Sequence, residues 1–181
     1  MAFNVSEFRS QMQFDGARAN LFDVEMNFPS FATPGNAARK MQFQCKSAQL
    51  PGSTVGIVPI QYFGREVKFA GNRTFADWTV NIINDEDFTV RNSFERWMNN
   101  INSHRGNVRA AAAGGPTSYG VDALVKHYSK TGKVLKGYKF IGLFPTDVSP
   151  IDLDWGNNDA IEEYSVTFSY QWWEAVPEGV F

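Results

Sequence analysis

The feature of this sequence that most constrains the fold is a strict alternation of apolar and polar residues. In the segment 22–28 every even position is apolar and every odd position is polar, and the pattern returns in 41–46, in 78–82 and, most cleanly, in 164–172. A period of two places one face of a strand in the core and the other in water, which is typical of antiparallel sheet. We therefore predict a strand in each of these segments and a β-rich domain.

Less regular apolar runs at 65–69, 121–128 and 134–144 predict further strands. The sequence Ser-Lys-Thr-Gly at 129–132 is suited to a tight turn, so the strands on either side of it are expected to form a hairpin. Together these segments predict a mainly β domain built from antiparallel strands.

One helix is predicted to flank the sheet. Within 88–101 the apolar residues Phe94, Trp97, Met98 and Ile101 recur at the spacing of one helical face. The acidic triplet at 85–87 precedes it, so that Asp85 or Asp87 is expected to cap its positive end. A short first helix is predicted at about 6–14.

Three segments have no clean period and are predicted to be long loops: 29–39, 51–64 and 109–120. They are rich in Gly, Pro and small residues, and loops of this length in a compact domain are usually functional or disordered.

The amino-acid composition favours some classes of function and argues against others. Aromatic residues make up 15% of the chain, with 16 Phe and 5 Trp, which favours aromatic surfaces at protein–protein contacts in addition to a core. The net charge of −2 argues against a dedicated nucleic-acid binder. A single cysteine allows no intrachain disulfide and suits a reducing cytoplasm, and neither a secretion signal nor a membrane span is expected from the sequence.

The residues that could carry catalysis are sparse. Cys45 shares the apolar face of its predicted strand with Met41 and Phe43, which predicts a buried structural thiol rather than a nucleophile. His104 and His127 lack the spacing of metal ligands. Acidic pairs such as that at 152 and 154 lie among turn formers and are interpreted as solvated charges. We therefore expect no enzyme activity, no metal and no cofactor.

The most distinctive segments occur in a fixed order along the chain. They are Ala-Asn-Leu-Phe-Asp-Val-Glu at 19–25, Phe-Gln-Cys-Lys at 43–46 with Leu-Pro at 50–51, Ala-Gly-Asn-Arg-Thr-Phe-Ala-Asp-Trp-Thr-Val at 70–80, Asn-Asp-Glu at 84–86, Gly-Leu-Phe-Pro-Thr at 142–146 and Leu-Asp-Trp at 153–155. In this order, over about 20–174, they resemble the tail tube proteins of contractile-tailed bacteriophages.

The resemblance implies one tail tube domain over 1–181, with a mobile N-terminal segment at about 1–18 and a C-terminal tail at about 175–181. It implies that the subunit is an antiparallel β-sandwich or barrel with one flanking helix. It also implies that six subunits form a ring with a shared inner β-barrel, and that rings stack into a conduit for the genome inside a contractile sheath. The implied partners are other copies of the chain and the sheath, baseplate and terminator proteins, with DNA passing through without tight binding. The implied location is the virion, and the host cytoplasm during assembly. Two departures from the family pattern are a longer loop at 29–39 and the tail at 175–181.

A strand of about twelve residues is predicted at 162–173, which spans roughly 40 Å at the usual rise per residue. Adjacent Trp172 and Trp173 must then point to opposite faces, one inward and one outward. Long strands with continuous polar faces suit a closed, water-filled barrel shared between subunits. A monomeric sandwich with one solvated face would give the same sequence pattern, and it is the resemblance that favours the shared barrel.

Two sets of candidate residues follow. The candidate subunit or ring contacts are Leu50, Pro51, Gly52, Ile60 and Trp173. The candidate lumen or solvent-facing residues are Asp23, Glu25, Asp77, Thr79, Asn81, Ser165, Thr167, Ser169 and Gln171. The segments 50–64 and 109–120 are expected to become ordered only when rings meet, because they have little to bury alone.

Two alternatives stay open at the level of sequence. The first is a tube subunit of a type VI secretion or related contractile injection system, which neighbouring genes would distinguish. The second is a monomeric β-barrel that binds a small apolar ligand, which would need an apolar interior cavity and would stay monomeric on sizing chromatography.

Overall fold

The computed structural model describes residues 4–12, 16–33 and 35–176. In chain order the regular elements are α1 (Val5–Gln11), β1 (Phe22–Met26), α2 (Ala37–Gln44), β2 (Cys45–Ala48), β3 (Thr54–Tyr62), β4 (Arg65–Thr74), β5 (Trp78–Ile83), α3 (Thr89–Ile101), a short 3-10 turn (Ala111–Ala113), α4 (Pro116–Tyr119), β6 (Val121–Tyr128), β7 (Val134–Val148), β8 (Glu163–Ser169) and β9 (Trp172–Val176). The predicted mainly β class is confirmed. No helix among the described residues is both long and apolar enough to span a membrane.

Seven of the strands form one antiparallel sheet in the order β1-β6-β7-β8-β5-β2, with β9 added alongside β7. The described strands of this sheet end in two edges, β1 and β2, and do not close into a barrel within one chain. Helix α2 packs beside β1, and covering an edge strand in this way shields its unpaired backbone groups.

Strand β7 holds the sheet together because it belongs to both of its halves. Its N-terminal part pairs with β6 and β9, and the residues from Phe144 onward pair with β8. The change of partner comes just after Gly142: Leu143 still lies opposite Val121 of β6, and Phe144 lies opposite Ser169 of β8. The φ of +65° at Gly142 is a conformation that glycine adopts readily and other residues rarely do. Bends of this kind let one strand pass between two packed layers.

The core lies between the inner faces of the two halves and is closed by α2 and α3. Its largest fully buried side chains are Trp97, Phe94, Phe140, Phe168, Met41, Ile82 and Leu143. Trp78 stacks on Phe140 with ring centroids 4.4 Å apart, and Phe94 meets Phe168 edge-on at 5.6 Å. These contacts join the helix layer to both halves of the sheet.

The predicted flanking helix is confirmed as α3; its N-cap residue is Phe88, and the acidic triplet that precedes it supplies the side-chain hydrogen bond at this end. Asp87 Oδ1 accepts a hydrogen bond from the backbone N–H of Thr89, the first helical residue. Lys40 of α2 donates to Asp85, at 2.8 Å, and to Asp87. The hydrogen bond from Lys40, followed by that from Thr89, lowers the pKa of Asp87 to about 2. The cap therefore also ties the two helices together.

The strand predicted at 41–46 is wrong for most of its length. Residues up to Gln44 belong to α2, and only from Cys45 onward is the chain a strand. Helical geometry buries Met41 and leaves Phe43 exposed, so the two side chains do not share a face as the alternation implied. The reason is tertiary: the helix buries Ala37 and Met41 against the core, which a six-residue alternation could not reveal.

The continuous strand predicted at 162–173 is interrupted. Strand β8 ends at Ser169, and Tyr170 and Gln171 lie between it and β9, which pairs with β7 instead. The backbone N–H of Gln171 donates to Ile141 O at 3.0 Å, so the break lies against the bend at Gly142. The predicted hairpin turn is confirmed, since Gly132 N donates to Ser129 O at 3.0 Å.

The first predicted helix is present as α1 at 5–11, and residues 13 and 14 of its predicted range lie outside the described residues. Residues 1–3 and 177–181, which belong to the predicted mobile N-terminal segment and C-terminal tail, also lie outside the described residues. Their mobility stays a prediction.

Tyr164 provides a test of the core. Its side chain is 3% exposed, its Oη has no hydrogen-bond partner among the described residues, and Arg91 covers its ring at 5.0 Å. Because an unsatisfied buried hydroxyl is destabilising, we expect Tyr164→Phe to raise the free energy of unfolding by about 1 kcal/mol. Guanidinium unfolding of the unassembled protein measures this. A loss of stability in the Phe variant would show that the hydroxyl is satisfied.

Candidate assembly surfaces

The hairpin formed by β3 and β4 stands apart from the main sheet and exposes one apolar face. The two strands pair with each other and with no other described strand, and all of their residues except Gly71 are exposed. In register, Val58 lies opposite Phe69 and Ile60 opposite Val67. Tyr62 extends the same face toward the tip, because residues two apart along a strand lie on one side. All five of these side chains are at least 40% exposed.

The loop predicted at 51–64 is wrong, because most of this segment is strand β3 and the turn of the hairpin. Its turn is Phe63-Gly64, with φ of +46° and +78°, and two consecutive positive φ values are the geometry of the two-residue turns that fit twisted strands. Phe63 occupies a position that usually carries Asn, Asp or Gly, so turn composition gave no signal. Its side chain is 92% exposed at the tip.

The register of the hairpin shifts between Val55 and Ile57, where Gly56 forms a bulge. A Cβ on Gly71 would lie 3.1 Å from the backbone of Gly56, so a side chain there would require the neighbouring strand to shift by a few tenths of an ångström. Pro59 lies in the middle of β3, which is possible because both strands of a two-stranded ribbon are edges. These features obscured the alternation in the sequence.

The candidate contact residues lie at the root and on the face of this hairpin. Ile60 is in the centre of the apolar face, while Leu50, Pro51 and Gly52 form the chain that leads into β3. The indole Nε1 of Trp173 donates to Gly52 O at 3.1 Å. The structure therefore brings four of the five residues together at the root and places Ile60 farther out; their role as contacts stays a prediction.

Five candidate lumen residues share one face of β5 and β8. Asn81 lies opposite Ser165 and Thr79 opposite Thr167, with the two threonine hydroxyls 3.1 Å apart, and Ser169 continues this face at the end of β8. The alternating positions Trp78, Val80 and Ile82 and their β8 partners are buried. We call this the neutral face, because its named side chains are hydroxyls and one amide.

Asp23 and Glu25 lie on a different surface, the outer face of β1, β6 and β7. There Glu25 Oε1 accepts a hydrogen bond from Lys126 Nζ at 2.6 Å, and Lys139 Nζ lies 2.8 Å from Asp122 Oδ2. We call this the charged face. Its carboxylates alternate with lysines, so it is less negative than Asp23 and Glu25 alone would suggest.

The last two candidate lumen residues lie outside the strands. Asp77 precedes β5 and Gln171 lies in the break between β8 and β9; both are exposed. The nine candidates are therefore divided among the neutral face, the charged face and two connecting segments, and do not form one continuous surface in a single chain.

The expected structural role of Cys45 agrees with its surroundings. Its thiol is partly buried at the start of β2, and burial, with a smaller contribution from the negative charge of Asp23, raises its pKa to about 12. A thiol with such a pKa is protonated at neutral pH and unreactive. No cluster of three or more His, Cys, Asp or Glu among the described residues is arranged to hold a metal ion.

Sequence reasoning found Ile60 but missed the rest of the apolar face. The strand predicted at 65–69 contains Val67 and Phe69, and their period-two spacing was a usable signal for β4. Strand β3 gave a weaker sequence signal, because Gly56 and Pro59 interrupt its alternation of apolar and polar residues. The full exposure of Phe63 had no sequence signal.

The fold defines a class of protein with a compact sandwich-like body and an appended apolar hairpin. Residues 17–176 match the family model described as phage tail tube protein. The chain belongs to this family and is a structural tail tube protein of the kind found in contractile-tailed phages.

Individual relatives support the assignment. The chain is 36% identical to the tail tube protein gp19 of Enterobacteria phage T4 over 161 residues, which cover 88% of this chain and 92% of that protein. It is 27% identical to the tail tube protein of Serratia phage KSP90 over 168 residues, covering 92% and 93% respectively.

Solved structures show the same fold at low identity. A chain in the anti-feeding prophage baseplate superposes with a TM-score of 0.64 at 12% identity, covering 91% of this chain and 98% of that one. A chain of the PVC extracellular contractile injection system, from its sheath–tube complex in the extended state, gives 0.59 at 14% identity, with coverage of 97% and 99%.

The two adjacent tryptophans provide a matched test. Trp173 packs edge-on against Tyr138 at 5.4 Å and Phe75 at 6.4 Å, whereas Trp172 is 44% exposed. We expect Trp173→Ala to lower the free energy of unfolding by about 2 kcal/mol, below the roughly 3–5 kcal/mol of a fully buried aromatic residue. Trp172→Ala should change it by less than about 0.5 kcal/mol. Guanidinium unfolding below the assembly concentration compares them, and equal losses would contradict the structure.

Proposed function

We propose that this protein is the repeating subunit of a hollow phage tail tube, in which six copies form a ring and rings stack within a contractile sheath. Membership of the tail tube family supports the role. The observation that carries the assembly step is the apolar face of the β3–β4 hairpin. A two-stranded ribbon is marginally stable alone, and contiguous exposed apolar side chains mark interaction sites.

The occupant of the apolar face is a neighbouring copy of the chain. Both strands of the hairpin have free edges, which can add to the sheet of another subunit through backbone hydrogen bonds. Open sheets joined in this way around a ring would form a shared barrel without exposed edges. Leu50, Pro51, Gly52 and Trp173 at the root of the hairpin are then positioned to meet the same neighbour.

The tube would serve as a passive conduit for the genome, with one polar surface of each subunit turned inward. The neutral face and the charged face are the two candidates, and neither presents an unbroken row of lysines or arginines. A channel that gripped phosphates would slow its cargo, because binding to the DNA backbone comes mainly from counterion release by basic side chains. Tight DNA binding is therefore not part of the proposed function.

The sheath, baseplate and terminator proteins are proposed as further partners, and the virion as the final location after assembly in the host cytoplasm.

Fold similarity to an injection-system chain supports the same tube architecture but does not separate a phage tube from an injection tube. Sequence identity to phage tail tube proteins favours the phage. The ligand-binding alternative has less support, since an apolar-lined cavity beside Phe22, Leu50 and Val125 has a volume of about 280 Å³, below the roughly 300–1,000 Å³ that is usual for a small-ligand pocket.

The assembly step has a sharp test in two adjacent residues. Ile60 lies on the apolar face of the hairpin, and Gln61 lies on the opposite face, opposite Glu66. We expect Ile60→Asp to prevent rings and tubes, because it places a charge in a surface that is buried on assembly. Gln61→Asp should still assemble.

Negative-stain microscopy and sedimentation of both variants measure the outcome. Both should keep the wild-type thermal unfolding of the unassembled subunit, since the hairpin lies outside the core. Tubes of Ile60→Asp at wild-type concentrations would rule out this face as the contact, and a wild type that stays monomeric at every concentration would refute the proposed function.

The passive conduit makes a separate prediction. Wild-type tubes at micromolar concentration should leave the mobility of duplex DNA unchanged in about 0.15 M salt. Retardation with a steep salt dependence would contradict it.

Lysine substitutions on the two faces then identify the lumen. Asn81→Lys alters the neutral face and Glu25→Lys the charged face. In phage carrying these subunits, the variant on the lumen side should form normal tails but eject the genome more slowly.

A further inference from the structure

Charge is sharply segregated along this chain. The segment 96–139 contains eight Lys or Arg residues and one acidic residue, Asp122, whereas the 42 residues that follow Lys139 contain eight Asp or Glu and no Lys or Arg. The net charge of −2 conceals this division. An asymmetry of this size within one domain points to interaction with a surface of opposite charge.

Strand β7 places part of this charge at its two ends. It begins directly after the turn at 129–133 and ends, 15 residues later, at the loop 149–162. A straight strand of this length would span roughly 45–50 Å, and the bend at Gly142 shortens that distance. The turn and the loop are therefore at opposite ends of the strand that runs through the whole sheet.

The basic end is a well-formed turn with exposed lysines. Gly132 N donates to Ser129 O at 3.0 Å, and the hydroxyls of Ser129 and Thr131 lie 2.6 Å apart. Lys130, in the turn, and Lys136, at the start of β7, are exposed. We call this the lysine turn.

The acidic end is a protruding loop in which every residue from 152 to 161 is exposed. Asp154 Oδ1 accepts a hydrogen bond from Gly156 N at 2.9 Å, and Asn157 N donates to Asp154 O at 3.1 Å, so the tip has a defined turn. This turn presents Trp155 with its side chain fully exposed. Asp152 and Asp159 lie on either side of it in sequence. We call this the acidic loop.

We propose that the acidic loop of one copy receives the lysine turn of a second copy, so that subunits join head to tail. The lysine ammonium groups would pair with the carboxylates and lie against the face of Trp155, which attracts cations through its ring electrons. The inference rests on the proposed tube function and adds a polarity to it.

A second copy is the occupant because the complementary charge is on the same chain. A contact between two different patches is heterologous and repeats in one direction, as a ring or a tube requires. The arrangement also excludes the wrong orientation, since acidic loop against acidic loop and lysine turn against lysine turn repel each other.

Complementary charge reversals test the proposal. The first variant, Lys130→Glu with Lys136→Glu, makes both ends acidic. The second, Asp152→Lys with Asp159→Lys, makes both ends basic and leaves the turn at Asp154 intact. Arg96→Glu with Arg105→Glu is the control, because it makes the same charge change at exposed residues of α3 and the turn after it.

Each reversal variant alone should need at least about tenfold more protein than the wild type to form tubes, because its own ends repel. An equimolar mixture of the two should form tubes near the wild-type concentration, since each contact then pairs opposite charges. The control variant should assemble alone as the wild type does. Recovery in the mixture also shows that both variants are folded.

Two outcomes would overturn the inference while the proposed function stands: tubes of either reversal variant at the wild-type concentration, or a mixture that fails to recover while the wild type assembles. The first would mean that the charged ends meet another protein or solvent. A wild type that forms no tubes would remove the proposed function and this inference together.

Discussion

The structure depends on one strand, β7, and on its bend at Gly142. Because β7 pairs with β6 and β9 before the bend and with β8 after it, the two halves of the sheet have no other common member in the described chain. The bend is crowded as well: a Cβ on Gly120 would lie 3.3 Å from Gly142 Cα, and one on Gly142 would lie 3.1 Å from the Gln171 side chain. Small residues at this point therefore allow the layers to approach and the aromatic core to close around Phe140.

A consequence of this closure is that the body of the subunit is complete without the hairpin. No side chain of β3 or β4 belongs to the buried core, and both strands are exposed along their length except at Gly71. Five exposed apolar residues share one side of the ribbon, while Ile57 lies exposed on the other side. In the proposed tube, stability and association would therefore depend on different parts of the sequence. This separation would allow a subunit to fold first and to assemble later through the exposed apolar face of the hairpin.

The sequence predicted the elements whose signal is local and missed those that depend on distant partners. Alternation identified β1, β5 and β8 because each has one buried face, and the spacing of Phe94, Trp97 and Ile101 identified α3. The segment 41–46 alternates too, yet burial of Met41 under α3 and β1 makes most of it helical, so tertiary packing overrode the pattern. The break after β8 also lacked a signal, because the alternation continues through Trp172 while the chain changes partner. Among the candidate contact residues, Ile60 lies on the apolar face of the hairpin and Trp173 lies at its root, and their role as contacts stays a prediction. The division of the polar residues into a neutral and a charged face required the strand order.

Apolar and charged surfaces make different contributions to an assembly, and this subunit carries both. Burial of the hairpin face gives association free energy but little sense of direction, because apolar contact is non-directional. Charged groups at an exposed interface add little affinity, yet they reject wrong pairings by repulsion and guide the right ones. A tube must satisfy both demands, since every subunit has to bind firmly and point the same way along the axis. If the apolar residues on β3 and β4 and the opposite charges at the two ends of β7 act as proposed, one fold meets the two demands with separate elements, and each could change in sequence without disturbing the other.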